Sequence, residues 1–199
     1  MYKYFFKRLI DFFLSLVGII LLSLPMIIIA IAIKCDSKGP VIFKQRRLGK
    51  NKKIFKIWKF RTMIVNAYEI GGIVTKSNDK RITKVGRFLR RTSLDEIPQL
   101  FNILTGKMAI IGPRPILDWE YEEFAKEEYE SRFSVLPGLF CTVDIKLRSS
   151  STRDQQFTMD KEYVDKISFF SDAKYFFQII GTVVSGKDVY REETEKKDE

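Results

Sequence analysis

The 199-residue chain contains no histidine. That removes the usual general base at neutral pH and the commonest zinc ligand. Its two cysteines, Cys35 and Cys141, stand far apart and form no CxxC pair. Zinc and thioredoxin-like redox readings both fail on that ground, and the pair reads as buried free thiols in a reducing compartment. A thiol nucleophile at Cys141 would need a base partner, and histidine is missing. Glycine-rich phosphate loops and internal repeats are absent too. Lys and Arg number 35 against 25 Asp and Glu, a net charge of +10. These basic residues are spread along the chain without the aromatic pattern of a nucleic-acid-binding sheet, so no nucleic-acid partner is expected. The excess points to other anions, namely phosphorylated metabolites and acidic lipid headgroups.

Charge is also missing from Phe12 to Ile33, an uncharged run of 22 residues. About 20 suffice to cross a bilayer as a helix. The run is too long for a cleaved signal peptide, and no small-x-small site follows it. Ser23 and Pro25 lie near its middle. Basic residues flank both ends, with Lys3, Lys7 and Arg8 before and Lys34, Lys44, Arg46 and Arg47 after. That symmetry gives no preferred orientation. Two arrangements fit: a kinked transmembrane helix, or a re-entrant segment that breaks at Ser23–Pro25 and returns to the cytoplasmic face. Either one binds the chain to a membrane.

The chain divides into a membrane helix (1–34), one domain (35–186) and a charged tail (187–199) expected to be disordered. Val41–Lys44 and Ile54–Phe60 read as strands joined by a turn near Gly49-Lys50-Asn51. Residues 68–80 read as a polar loop. Ile82 to Arg91 has the pattern of a basic amphipathic helix, suited to an anionic interface or a solvated face. Ile97, Leu100, Phe101 and Leu104 recur at helical spacing, with Gly106 as the stop. A strand at Met108–Ile111, a charged helix over Asp118–Arg132, a turn at Leu136-Pro137-Gly138 and an apolar helix over Phe169–Val184 follow. The expected class is α+β and mostly helical, with a small β-hairpin.

Asp95 and Glu96 stand side by side in Arg90-Arg91-Thr92-Ser93-Leu94-Asp95-Glu96-Ile97-Pro98-Gln99-Leu100. Ser93 and Glu96 match a capping box, which would make Glu96 structural. Pro98 disturbs that reading, because a helix capped at Ser93 would carry proline in its interior. If the helix begins near Pro98 instead, both acids precede its N-terminus. The dipole there would favour anions and keep Asp95 ionised for attack on phosphorus. Arg114, framed by Pro113 and Pro115, is either a salt-bridge residue on a rigid turn or a bidentate phosphate clamp. Lys59 and Arg61, two apart on a strand, would share one face, either at a site or in solvent.

With these residues assembled, the chain resembles the small monotopic phosphoglycosyl transferases, the bacterial sugar transferases of polyprenyl-phosphate glycan pathways. The matching pieces are Lys7-Arg8-x-x-Asp11, the Ser23/Pro25 break, Gly39-Pro40-Val41-Ile42-Phe43-Lys44-Gln45-Arg46-Arg47, Lys59-Phe60-Arg61-Thr62-Met63, the Asp95-Glu96 block with Asn102-Ile103-Leu104, and Ile111-Gly112-Pro113-Arg114-Pro115. The resemblance implies a re-entrant membrane helix with amphipathic interface helices, exposed on the cytoplasmic face of the bacterial inner membrane. It implies transfer of a phospho-sugar from a nucleotide-sugar, UDP-linked, to polyprenyl phosphate, through an intermediate on Asp95. Glu96, with Asp95, would help hold Mg2+, and Lys59, Arg90 and Arg114 would bind phosphates. Partners could extend to a second copy or downstream glycosyltransferases. The stretch Leu136-Pro137-Gly138 to Arg148 departs from the family's pattern: Pro-Gly and the final arginine survive, whereas Thr-Gly, Gln and the later Gly do not. Arg148 remains a binding residue for the donor diphosphate, and the changes bear on nucleotide or sugar selectivity. Asp160, Tyr163 and Asp172 echo a family pattern. The competing reading is a non-catalytic, membrane-anchored scaffold that binds anionic lipid or a pathway partner.

Overall fold

The computed structural model describes residues 1–72, 79–124, 127–143 and 152–184. Arg148 and the tail 187–199 fall outside the described residues. A π turn, Tyr2–Phe6, leads into a long helix, α1 (Lys7–Asp36). The hairpin strands β1 (Ile42–Leu48) and β2 (Ile54–Phe60) come next, followed by a short helix α2 (Ala67–Gly71), α3 (Lys84–Thr92) and α4 (Gln99–Leu104). Strand β3 (Ala109–Ile111), α5 (Asp118–Phe124), β4 (Gly138–Phe140), α6 (Arg153–Asp165) and α7 (Phe169–Val184) complete the order. The expected α+β, mostly helical class holds.

α1 owes its shape to an uninterrupted run of Leu, Ile, Phe and Val in which few backbone groups need outside partners. Its buried positions, Lys7, Asp11, Ser15 and Ile33, recur along one face. The opposite face is apolar and open, with Leu21 72% exposed, and only 6% of the most apolar 18-residue stretch is buried. A face of that extent is not sustained in water and suits hydrocarbon. The expected break at Ser23–Pro25 is not seen: α1 stays helical through both residues. Pro25 sits on the exposed side, and Ser23 Oγ donates to the Ile20 carbonyl (2.8 Å). One missing backbone bond on that side does not unwind the helix.

Both ends of α1 are tied to the same globular body. At the N-terminal end, Lys7 Nζ pairs with Asp172 Oδ2 (2.7 Å) on α7, and that carboxylate also accepts Tyr2 Oη (2.8 Å) and Tyr163 Oη (2.7 Å). Tyr163 and Asp172, noted in the sequence, thus form a structural clamp. Ile110 N–H donates to Asp11 Oδ1 (3.1 Å), while Arg8 donates to the carbonyls of Ile103 and Leu104 at the end of α4. Near the other end, Ile33 packs with Phe60 and Leu89, and Asp36 Oδ2 accepts Val85 N–H (2.9 Å) at the start of α3.

The main core gathers Ile57, Ile103, Met108, Ile110, Ile111, Val135, Tyr163, Val164 and Ile179 around β3. β3 pairs in parallel with β4, so Gly138 opens a strand where a turn was expected. Gly112 and Gly138 permit the approach, since a Cβ on Gly112 would lie 2.7 Å from Gly138 N. The charged stretch Asp118–Arg132, expected as one helix, is split into α5 and a 3₁₀ segment, Glu127–Ser134. α3 is amphipathic as expected in burying Gly86 and Leu89, but Phe88, counted on the apolar stripe, is 51% exposed. α7 exposes Phe170 and Phe177. Cys141 is buried as expected, but Cys35 is exposed at the end of α1; neither is in a disulfide among the described residues.

Removing the charge at the α1–α7 clamp should destabilise the fold. Asp172→Asn leaves buried Lys7 with only the more distant Asp11 carboxylate (3.9 Å), at a cost of about 3 kcal/mol. Denaturant titration in detergent checks this, and an unchanged midpoint would mean the clamp contributes nothing.

Candidate active site

Ser93 ends α3 in the left-handed region (φ 56°) and turns the chain into a 3₁₀ turn, Leu94–Glu96. Its side chain makes no capping bond, and α4 starts only after Pro98. The capping box is therefore not formed, and Glu96 is free for a different partner. That partner is Lys59, whose Nζ lies 2.5 Å from Glu96 Oε1. Asn102 on α4 fixes the strand that carries Lys59, accepting from Trp58 N–H and donating to the Lys56 carbonyl, each at 2.9 Å. Those two bonds satisfy edge groups of β2 and set its distance from the acidic turn.

Two arginines complete the surround. Arg90, in the last turn of α3, donates from Nε to Thr62 Oγ1 (2.8 Å). Arg114 rides on the turn that leaves β3. Pro113 contributes its carbonyl, which accepts Gly138 N–H (2.9 Å), while Arg132 Nη2 donates to the Arg114 carbonyl (2.7 Å). The loop backbone is thus held on two sides, with the Arg114 side chain exposed. Asp160 backs Arg132 through a buried pair (2.6 Å).

The two carboxylates are shifted in opposite directions. Burial pushes Asp95 up to about 6; Lys59 opposes the rise, neighbouring Glu96 adds to it, and Arg90 opposes it more weakly. Burial also acts to raise Glu96, but Lys59, followed by Arg114 and Arg47, outweighs it and holds Glu96 below the usual carboxylate range. The helix dipole expected to favour the Asp95 anion does not prevail, although at about 6 the carboxyl is still mostly ionised at neutral pH. Asp95 lies in a separate 3₁₀ turn ahead of a six-residue α4. Burial and the adjacent charge dominate instead.

Of the residues singled out in the sequence, Lys59, Arg90, Asp95, Glu96, Pro113 and Arg114 belong to one neighbourhood. Arg61 does not. It is buried and donates from Nη2 to the Ser37 carbonyl (2.7 Å) and Ser37 Oγ (2.9 Å), fastening the hairpin to the end of α1. Ser23 and Pro25 belong to α1 alone. The sequence reading passed over Arg47, Gln45, Tyr68 and Glu120. Phe43 pairs with Lys59 across the hairpin, so alternation places Gln45 and Arg47 on the face that carries Lys59. That register was the available signal.

Comparison with known proteins now bears on this geometry. The family model described as Bacterial sugar transferase matches residues 2–186. The chain belongs to the bacterial sugar transferase family. This sugar transferase is 39% identical over 191 residues to the exopolysaccharide production protein PSS of Rhizobium leguminosarum bv. phaseoli, covering 90% of this chain and 94% of that one. It is 38% identical over 192 residues to a UDP-glucose:undecaprenyl-phosphate glucose-1-phosphate transferase of Klebsiella pneumoniae, covering 93% of this chain and 41% of that protein. The Escherichia coli K12 protein of the same description is 41% identical over 180 residues, covering 86% of this chain and 38% of its own length. The sugar transferase chain thus spans about two-fifths of the length of those two relatives.

The raised Asp95 fixes the sign of a stability effect. A carboxyl whose folded pKa is raised costs stability when ionised. The cost is full above about pH 6, fades as pH falls toward the unfolded value near 3.8, and is absent below it. Asp95→Asn should therefore melt higher than the native chain at pH 7.5 and level with it at pH 3.5, with chelator present. Equal melting temperatures at both pH values would contradict the assigned charge state.

Proposed function

We propose that this sugar transferase moves a phospho-sugar from a UDP-sugar to polyprenyl phosphate on the cytoplasmic face of a bacterial inner membrane. The observation that carries the reading is the unequal carboxylate pair, Asp95 and Glu96, set among Lys59, Arg90 and Arg114. Cations in that arrangement gather phosphoryl oxygens through charge-assisted hydrogen bonds, and a half-buried carboxylate next to them can attack phosphorus. The relatives named for UDP-glucose and undecaprenyl phosphate support the choice of substrates.

In the first step Asp95, ionised, attacks the sugar-bearing phosphorus. The bond from that phosphorus to the bridging oxygen breaks, and nucleoside monophosphate departs with the electron pair. In the second step a phosphate oxygen of the polyprenyl acceptor attacks the same phosphorus. The Asp95 oxygen–phosphorus bond breaks, the carboxylate is regenerated, and polyprenyl diphosphate-sugar is the product. Arg90 and Arg114 hold phosphate oxygens in line, and Lys59 keeps Glu96 ionised and oriented. Asp95 and Glu96 suit magnesium, which takes one or two carboxylates together with substrate phosphates and water. When bound, the ion neutralises charge on the phosphates.

The membrane arrangement follows from the two attachments of α1. A 30-residue helix is about 45 Å long. Were it to cross the bilayer, a globular body attached near both ends would carry polar surface through the hydrocarbon. Both ends instead lie at one interface, with the exposed apolar face in lipid. Lys3→Cys in a Cys35→Ser background, and native Cys35, should both react with an impermeant thiol reagent in inside-out vesicles and not in intact cells. Labelling of the two sites from opposite sides would overturn this topology.

For the reaction, the test is nucleoside monophosphate release on mixing UDP-sugar, polyprenyl phosphate and magnesium. Asp95→Asn should lower the rate by at least about a thousandfold while still folding. Full turnover by that variant would remove Asp95 as the nucleophile.

A further inference from the structure

Arg47 lies on β1 in the basic run Lys44-Gln45-Arg46-Arg47, yet its side chain is only 18% exposed. Its guanidinium donates from Nη1 to the Pro115 carbonyl (3.2 Å) and from Nη2 to Gln45 Oε1 (2.8 Å). Gln45 in turn donates from Nε2 to Tyr68 Oη (3.2 Å). The carboxylate beside Arg47 is Glu120, with Oε2 at 3.7 Å, outside hydrogen-bond range. Arg47 Nε has no hydrogen-bond partner. A purely structural pair would place the guanidinium fork on the acid. Here the fork is spent on neutral oxygens, so the charge is only partly balanced.

That charge is directed at the catalytic neighbourhood. Arg47 and Arg114 repel each other, and both act on Glu96. Four cations, Lys59, Arg90, Arg114 and Arg47, therefore act on two carboxylates. The local excess of positive charge fits a diphosphate. Glu120 is 3% exposed, accepts Leu117 N–H (2.7 Å) just beyond the Arg114 loop, and also pairs with Arg153 at the start of α6. Its position is fixed from Leu117 and from α6, and it faces the Arg47 guanidinium across 3.7 Å.

We propose that Arg47 is a further phosphate-binding arginine of this site, holding the nucleotide phosphate that leaves, and that Glu120 is the positioning residue that orients it. The inference rests on the proposed phospho-sugar transfer, since it assigns Arg47 to the donor and not to the lipid acceptor. Glu120 touches no substrate and acts through Arg47.

Calorimetric binding of UDP to the full chain in detergent, with magnesium, tests it alongside steady-state kinetics. Arg47→Gln should weaken UDP about tenfold or more and raise the donor KM to match, with the acceptor KM unchanged within about twofold. Arg47→Lys keeps the charge and loses the fork, so it should lie between the two; it decides the matter if the glutamine variant does not fold. Glu120→Gln should weaken UDP several-fold with the same donor–acceptor split, which a general loss of structure would not give. Native-like UDP affinity in the arginine variants, or equal losses for donor and acceptor, overturns the assignment while the transferase reading stands. If the native chain neither binds UDP nor releases nucleoside monophosphate, both readings fall together.

Discussion

The Lys59–Glu96 ion pair is the contact on which the site depends. Two adjacent carboxylates in a half-buried turn cannot both ionise freely, because burial and mutual repulsion act against the second charge. Lys59 decides which one is held lower: it bonds Glu96 directly and only opposes the rise at Asp95. By holding Glu96 ionised, it leaves Asp95 to take the raised value, and the two acids acquire different roles from one environment. Arg114 and Arg47 add to the lowering of Glu96.

The rest of the fold reads as a means of keeping that lysine and that turn in register. Asn102 secures β2 against α4, so the strand bearing Lys59 and the turn bearing Glu96 move as one unit. The turn itself is joined to the membrane helix through α4, whose last carbonyls accept Arg8. On the far side, β3 carries the Arg114 loop and receives Asp11 from α1 at Ile110. A helix with an exposed apolar outer face thereby supports both flanks of the candidate site. On the proposed function, this is where a lipid phosphate and a soluble donor would meet.

Much of this was legible in the sequence where local chemistry is unambiguous. Pro98 argued against a helix starting at Ser93, and the structure starts α4 after it. Gly106 marked the end of the same helix, and the two prolines around Arg114 marked a rigid turn. Other features depend on long-range pairing that no local pattern encodes. β4 is three residues following Pro137 and exists only because β3 lies alongside. α6 is mostly polar and gives a weak periodic signal. Arg61 shares the alternation of Lys59 but stands just past the end of β2, where Ser37 captures it. Arg47 counted only as one more flanking cation until the hairpin register placed it on the face that carries Lys59. Pro25 shows a further limit: proline in an apolar helix predicts a missing bond, not how the helix responds.

The account turns on Asp95 becoming covalently attached to the phospho-sugar. Intact-protein and peptide mass spectrometry after mixing the chain with UDP-sugar and magnesium, without polyprenyl phosphate, measures this directly. The account predicts a mass increase of one phospho-sugar on the peptide containing Asp95, lost on adding the acceptor and missing in Asp95→Asn. Turnover with acceptor but no adduct under any donor-only condition, or an adduct on another residue, would contradict it.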